Sequence, residues 1–141
     1  MPSERQAQEH MEYNVATARQ YVREGRAEEW INLYLHTPPW GQVKIWRFLC
    51  RRRLSWIGPV EVELSQLRRT CGPEKGMRYE EDAEYWENAV TEIADGLRDP
   101  AALPPLLVCH DRGDFVILDG NHRHEAFRRR GWCSAWVLIG C

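Results

Sequence analysis

Asp119-Gly120-Asn121-His122-Arg123-His124 puts a carboxylate, a glycine, an amide, two imidazoles and a guanidinium in consecutive positions. The residues before it, Phe115-Val116-Ile117-Leu118, are apolar and partly β-branched, which favours a strand. The residues after it, Glu125 to Arg130, favour helix until Gly131 stops it. The pattern predicts a strand that turns directly into a helix. Such a turn leaves backbone N–H groups unpaired at the positive end of the helix dipole, where an anion, typically phosphate, is stabilised.

Each side chain of the turn has a chemistry that fits phosphate. Arg123 offers a planar fork for phosphate oxygens, and His122 can donate to a phosphate or move a proton near neutral pH. Gly120 lets a ligand come close to the backbone, and Asn121 offers a hydrogen bond or helps the chain through a left-handed turn. Asp119 can hold a magnesium ion that bridges two phosphates. The same spacing has a plainer reading for each residue. Asp119 would close the strand end, His122 would cap or pack, and Arg123 would pair with a local acid. His122 and His124 flank Arg123, but no third ligand at a suitable spacing supports a structural zinc.

The run Pro104-Pro105-Leu106-Leu107-Val108, the strand and turn Val116 to Arg123, then Glu125-Ala126 and Gly131-Trp132 resemble the ParB/sulfiredoxin superfamily. Val60-Glu61-Val62-Glu63-Leu64-Ser65-Gln66-Leu67-Arg68 is similar to the first strand of that domain, so the resemblance covers about residues 59–139. Members bind nucleotide phosphates at a Gly-x-[His/Arg]-Arg turn. Asp-Gly-Asn-His-Arg here is nearest the Asp-Gly-His-His-Arg turn of the free serine kinases. The resemblance implies an α+β fold with a mixed sheet and packed helices, and a nucleotide (ATP, ADP or CTP) with magnesium as ligand. It implies phosphate contacts from Gly120, Asn121, His122, Arg123 and His124. It also implies that the segment with Arg68, Arg69 and Glu74 closes over the nucleotide, with Glu74 nearest to the position of the serine kinases' base. Asn121 stands where sulfiredoxins carry their reactive cysteine, and an amide cannot act as that nucleophile. The expected activity is a nucleotide-dependent phosphotransferase or nucleotide hydrolase with a small-molecule or protein second substrate, not a sulfiredoxin. The alternative is a non-catalytic ParB-like module that senses nucleotide, associates with DNA or docks a protein. In chromosome-partitioning proteins a helix-turn-helix domain follows this fold. Here the chain stops after the last predicted strand, which leads to the expectation that it is not a full partitioning protein.

The elements that must position the turn follow from periodicity. Met11, Val15, Ala18 and Val22 predict a helix over 3–24 that Ser3 can cap. Trp30, Ile31, Tyr34 and Leu35 predict a second helix over 28–35, and Val43, Trp46, Leu49 and Cys50 a third over 42–53. Gly58-Pro59 reads as the boundary between this helical extension (1–57) and the domain (58–141). A strand at 60–64, a loop over 69–78, a helix over 80–97, a hairpin of 106–110 with 115–118, and a last strand at 134–139 complete the order. The outer face of the 80–97 helix carries Glu80, Glu81, Asp82, Glu84, Glu87, Glu92 and Asp95, and reads as a solvated acidic face.

Composition sets the class. Apolar residues are 43% and charged residues 28% of 141, as in one globular domain. The net charge of −2 gives the molecule no overall bias toward nucleic acid, so only the clusters Arg51-Arg52-Arg53 and Arg128-Arg129-Arg130 speak for DNA. Seven tryptophans point to buried aromatics or to an interface, including that of a homodimer. Five cysteines without a CxxC pair argue against a zinc ribbon or a disulfide scaffold. The polar start lacks a signal-peptide pattern and no apolar run spans a bilayer, so a reducing cytoplasm is the expectation.

Overall fold

The structure, a computed structural model, describes residues 11–141. Helix α1 (Val15–Arg23) begins at Asn14, whose side chain accepts from the Thr17 amide while Thr17 accepts from the Asn14 amide, a reciprocal cap. The helix thus starts later than its apolar stripe implies, and Ser3 lies outside the described residues. Helices α2 (Ala27–Leu35) and α3 (Val43–Leu49) follow. Helix α3 has only seven residues, and its predicted apolar face is divided: Leu49 is buried, while Val43 and Cys50 are exposed.

Strand β1 (Trp56–Glu63) runs through Gly58 and Pro59, so the expected boundary is a bulge within a strand rather than a linker. Gly58 has φ +116°, and a Cβ there would lie 2.7 Å from the Val137 carbonyl oxygen on the neighbouring strand. The expected loop over 69–78 begins after β2 (Leu67–Arg68) and contains β3 (Cys71–Gly72), which pairs with β4 (Tyr79–Glu80). Helix α4 (Ala83–Gly96) is capped by Asp82, which accepts from the Tyr85 amide. Strands β5 (Leu106–Asp111) and β6 (Asp114–Asp119) form the predicted hairpin; its two turn residues, Arg112 and Gly113, both take positive φ. Helix α5 (Asn121–Arg129) and strand β7 (Ser134–Gly140) end the chain.

The main sheet has the order β1-β7-β5-β6-β2, with antiparallel β1/β7 and β5/β6 pairs and parallel β7/β5 and β6/β2 pairs. This is the mixed α+β sheet that the sequence pattern implies. Its central strands are buried on both faces, which explains why β5 and β7 read as continuous apolar runs. Leu106, Val108, Val137 and Ile139 point to one side and pack with Trp86, Val90 and Phe127 of α4 and α5. Leu107 and Leu138 point to the other side and pack with Trp30, Ile31, Tyr34 and Leu35 of α2 and Leu49 of α3. The N-terminal helices are therefore a third layer on the sheet, sharing its core. Trp30 is fully buried and stacks on Tyr34 with ring centroids 5.0 Å apart. Among the described residues no helix is long and apolar enough to cross a membrane.

If the helical layer is integral, Trp30→Ala lowers the unfolding free energy by about 3–5 kcal/mol. Urea titrations followed by circular dichroism and by fluorescence should then give one coincident transition at a reduced midpoint. An early separate loss of helix, with the sheet transition unmoved, would show a layer that folds by itself.

Candidate functional site

Gly120 is the hinge between β6 and α5. Its φ of +110° suits glycine, and a Cβ would meet the Leu106 side chain and lie 3.2 Å from Arg123 Nη2. The absent side chain therefore makes room for the chain's own core, where the sequence pattern suggests a ligand. Gly120 occupies the cap position of α5 with no side chain to bond the first amides. Among the described residues, the N–H groups of Asn121, His122 and Arg123 have no hydrogen-bond acceptor, and the first intrahelical bond runs from the His124 amide to the Gly120 carbonyl at 2.9 Å.

Beside this turn lies a cleft of about 330 Å³. Asp119, Gly120, Asn121 and His122 form one wall. Lys44, Ile45 and Phe48 of α3 form another, and Cys71, Arg78, Tyr79 and Glu81 contribute from the β3–β4 region. Three of these elements are distant in sequence, and the sheet with its two flanking layers brings them together.

The structure divides the predicted residues. Arg123 does not face the cleft. It is 4% exposed, and its guanidinium donates to the Pro104 carbonyl at 2.5 Å, the Tyr34 hydroxyl at 2.7 Å and Asp119 Oδ2 at 3.0 Å. The Tyr34 hydroxyl in turn donates to Asp119 Oδ2 at 2.5 Å. Burial raises the Tyr34 pKa well above its ordinary value, so it remains a neutral donor. The counter-charge of Arg123 is thus Asp119, four residues earlier, as the plainer reading of the turn has it. The same contacts bear on the expectation of magnesium at Asp119. Asp119 is 8% exposed, its Oδ2 is taken twice, and its charge is already offset by Arg123. Among the described residues no group of three His, Cys, Asp or Glu side chains gathers that could hold a metal. This donor set does not fit a resident magnesium ion at Asp119.

Asn121 is a staple. Its Oδ1 accepts from the amides of Thr70 at 2.8 Å and Cys71 at 3.2 Å, and its Nδ2 donates to Thr70 Oγ1 at 3.2 Å. The Thr70 hydroxyl in turn donates to the Ile117 carbonyl at 2.8 Å. The start of α5 is thereby tied to the segment that carries β3. His124 is also structural. It is 8% exposed, its Nε2 donates to the Leu64 carbonyl at 3.0 Å, and its Nδ1 is buried without a partner. Burial holds its pKa below the ordinary histidine value.

Arg68, Arg69 and Glu74 do not line the cleft. Arg68 pairs with Asp114 at 3.0 Å on the surface. Arg69 lies 4.9 Å from the Trp86 ring centroid and pairs with Glu74, whose carboxyl this hydrogen bond holds below the usual range. Glu74 is therefore bound to a cation and does not line the cleft beside the turn.

His122 alone among the predicted catalytic side chains faces the cleft with a partner suited to proton transfer. Its Nε2 lies 2.6 Å from Glu81 Oε1, and its ring packs on Trp86 with centroids 4.6 Å apart. An ionised carboxylate only accepts, so Nε2 donates in this bond, and in a neutral imidazole the lone pair is then on Nδ1. In the sequence Glu81 reads as part of a solvated acidic face. It precedes α4, however, and turns into the cleft, where Cys71 Sγ also donates to its Oε2 at 3.2 Å. Burial, and then this bond, push the Cys71 thiol up to about 12, so it stays protonated at neutral pH and is no nucleophile. The signal that could have separated Glu81 from its neighbours is its place just before Asp82, the helix cap. Lys44 and Arg78 were likewise missed, since neither stands near the turn in sequence.

No family model matches the chain and no curated protein sequence matches it. Among solved structures it is similar to sulfiredoxin from Arabidopsis thaliana, at 26% identity and a TM-score of 0.40, over 57% of this chain and 79% of that one. It is also similar to the C-terminally truncated chromosome-partitioning protein ParB from Caulobacter crescentus complexed with CTP-gamma-S, at 25% identity and a TM-score of 0.36. That match covers 59% of this chain and 43% of the ParB chain, so this chain spans less than half of that structure. The two proteins belong to the superfamily that the turn resembles. Both matches are loose, and the chemistry of this chain is carried by its own side chains.

The buried network and the buried imidazole each have a measurable consequence. Arg123→Ala leaves Asp119 without a counter-charge and should cost about 3–5 kcal/mol of stability, and Tyr34→Phe about 1–3 kcal/mol, both read from denaturant midpoints. A loss below about 1 kcal/mol in Arg123→Ala would contradict a buried pair. His124 has its folded pKa depressed, so the unfolded chain binds the extra proton. Stability from this group is complete above the unfolded pKa of about 6.5 and falls as pH drops below it. The midpoint should decline from pH 7 toward pH 5, and His124→Gln should flatten that decline.

Proposed function

We propose that the cleft binds the phosphate groups of a nucleotide and that His122, oriented by Glu81, is its acid–base group. The observation that carries this reading is the uncapped first turn of α5 opening on a cleft that Lys44 and Arg78 also line. Free amides and a helix dipole favour phosphate oxygens, and the two cations supply the charge that Arg123 cannot. Ile45 and Phe48 give the cleft an apolar wall suited to the face of a base.

In a phosphotransferase or hydrolase, a hydroxyl or water proton would pass to His122 Nδ1 while Glu81 steadies the imidazolium that forms. Holding the imidazole in one tautomer and stabilising its charge is how a carboxylate assists a histidine base in other enzymes. The nucleotide brings the phosphoryl group, and the protein supplies position and counter-charge. A non-catalytic nucleotide sensor would need the amides and the two cations but not the Glu81–His122 pair.

The test is thermal stability against ATP, ADP, CTP and GTP, with and without magnesium, for the wild type and for Lys44→Ala, Arg78→Ala and His122→Ala. At about a hundred times the dissociation constant, a bound nucleotide adds roughly 2.7 kcal/mol and shifts the midpoint by several degrees. Lys44→Ala and Arg78→Ala should lose most of the shift. His122→Ala should retain most of it and lose any turnover. No shift with any nucleotide would end the reading. Arg123→Ala is unsuited to this test, because it removes part of the core.

A further inference from the structure

Among the described residues six arginines are held by acids: Arg26, Arg68, Arg69, Arg123, Arg128 and Arg129. The C-terminal cluster 128–130 is thereby accounted for, since Arg130 also donates to the Ala94 carbonyl at 2.7 Å. The other cluster is not. Lys44 and Arg47 of α3, and Arg51, Arg52 and Arg53 just after it, are exposed and form no ion pair among the described residues. Arg78, which lines the cleft, is exposed and equally unpaired among them.

Phe48 joins these cations into one surface. It is 41% exposed and lines the cleft with Lys44 and Arg78, a second hollow with Arg47 and Arg51, and a third with Arg52 and Arg78. The Arg52 guanidinium lies 4.3 Å from its ring centroid. Tyr79, 61% exposed, adds a second ring at the cleft. In the two outer hollows the only acidic side chain among the described residues is Asp111. The acidic residues Glu84, Glu87, Glu92 and Asp95 belong to α4, which packs on the opposite face of the sheet from α3. The acidic face of α4 and this basic patch thus lie on opposite sides of the sheet, and the patch is invisible in a net charge of −2.

We propose that this face binds single-stranded nucleic acid, with phosphates on Lys44, Arg47, Arg51, Arg52 and Arg53 and bases against Phe48 and Tyr79. Unpaired cations at close spacing repel one another, and a polyanion that binds them releases its own condensed counterions. Exposed rings among those cations offer stacking, which every unpaired base can use and a base inside a duplex cannot. Helix α3, seven residues long and fixed to the core through Leu49, is too short to lay a reading face in a major groove.

Fluorescence anisotropy of the full chain tests this, with a labelled oligothymidylate of about 20 nucleotides and a mixed-sequence duplex of the same length. Between about 50 and 200 mM salt, the single strand should bind with a strong salt dependence and more tightly than the duplex. Arg51→Ala, Arg52→Ala and Arg53→Ala combined should weaken binding about tenfold or more and lower the salt slope by about 0.7 for each phosphate no longer neutralised. Phe48→Ala should weaken binding about fivefold or more and leave that slope unchanged. Arg23→Ala, on α1, should have no effect. Arg51, Arg52 and Arg53 do not line the cleft, so a nucleotide-induced thermal shift should survive in the triple variant, which also reports that it is folded. No binding at low salt, equal or tighter binding of the duplex, or unchanged binding by the triple variant would each overturn the proposal.

Discussion

A guanidinium and a carboxylate buried at the centre of a small domain depend on each other, because neither can lose water without a counter-charge. Arg123 and Asp119 meet this condition across the Gly120 hinge, and the condition spreads to the rest of the fold. Asp119 ends β6, Arg123 lies in the first turn of α5, Tyr34 comes from α2, and the Pro104 carbonyl lies just before β5. Four pieces of chain are therefore fixed by one charged group. The orientation of the α5 N-terminus, and with it the direction of its free amides, follows from that network.

The turn was legible because its signals are local. An apolar run, a glycine and a helix-favouring run lie in unbroken sequence, and the hairpin before it is marked by Arg112-Gly113 between two apolar strands. The fold class was legible for the same reason, since each element announces itself by its own period. The destination of a side chain is set instead by what the fold brings to it. Arg123 and a phosphate would satisfy the same chemistry as Arg123 and Asp119, and it takes the folded contacts, among them the Tyr34 hydroxyl from 89 residues away, to show that the internal pairing is the one formed. Glu81 shows the converse. Amid seven acids it reads as surface, but its position ahead of the helix cap aims it at His122 rather than at solvent.

Gly58-Pro59, read in the sequence as a boundary, carries a related ambiguity. Glycine followed by proline breaks regular structure whether the break is a linker or a bulge, and the two are told apart by what lies beside them. Here the Val137 carbonyl occupies the space that a side chain at 58 would need, which is a requirement of strand pairing. A linker would impose no such constraint.

These placements share a consequence for the site. With Arg123 consumed inside, the turn by itself offers amides and a dipole, worth little against the cost of desolvating a multiply charged phosphate. On the proposed reading, the missing charge has to come from side chains outside the β6–α5 unit. Lys44 is on α3 and Arg78 adjoins β4, so the cleft is complete only when the N-terminal layer sits on the sheet. Tyr34 ties that same layer to the network that orients α5. The helices that precede the sheet are therefore part of the proposed site, through one hydroxyl that fixes the turn and one lysine that lines the cleft.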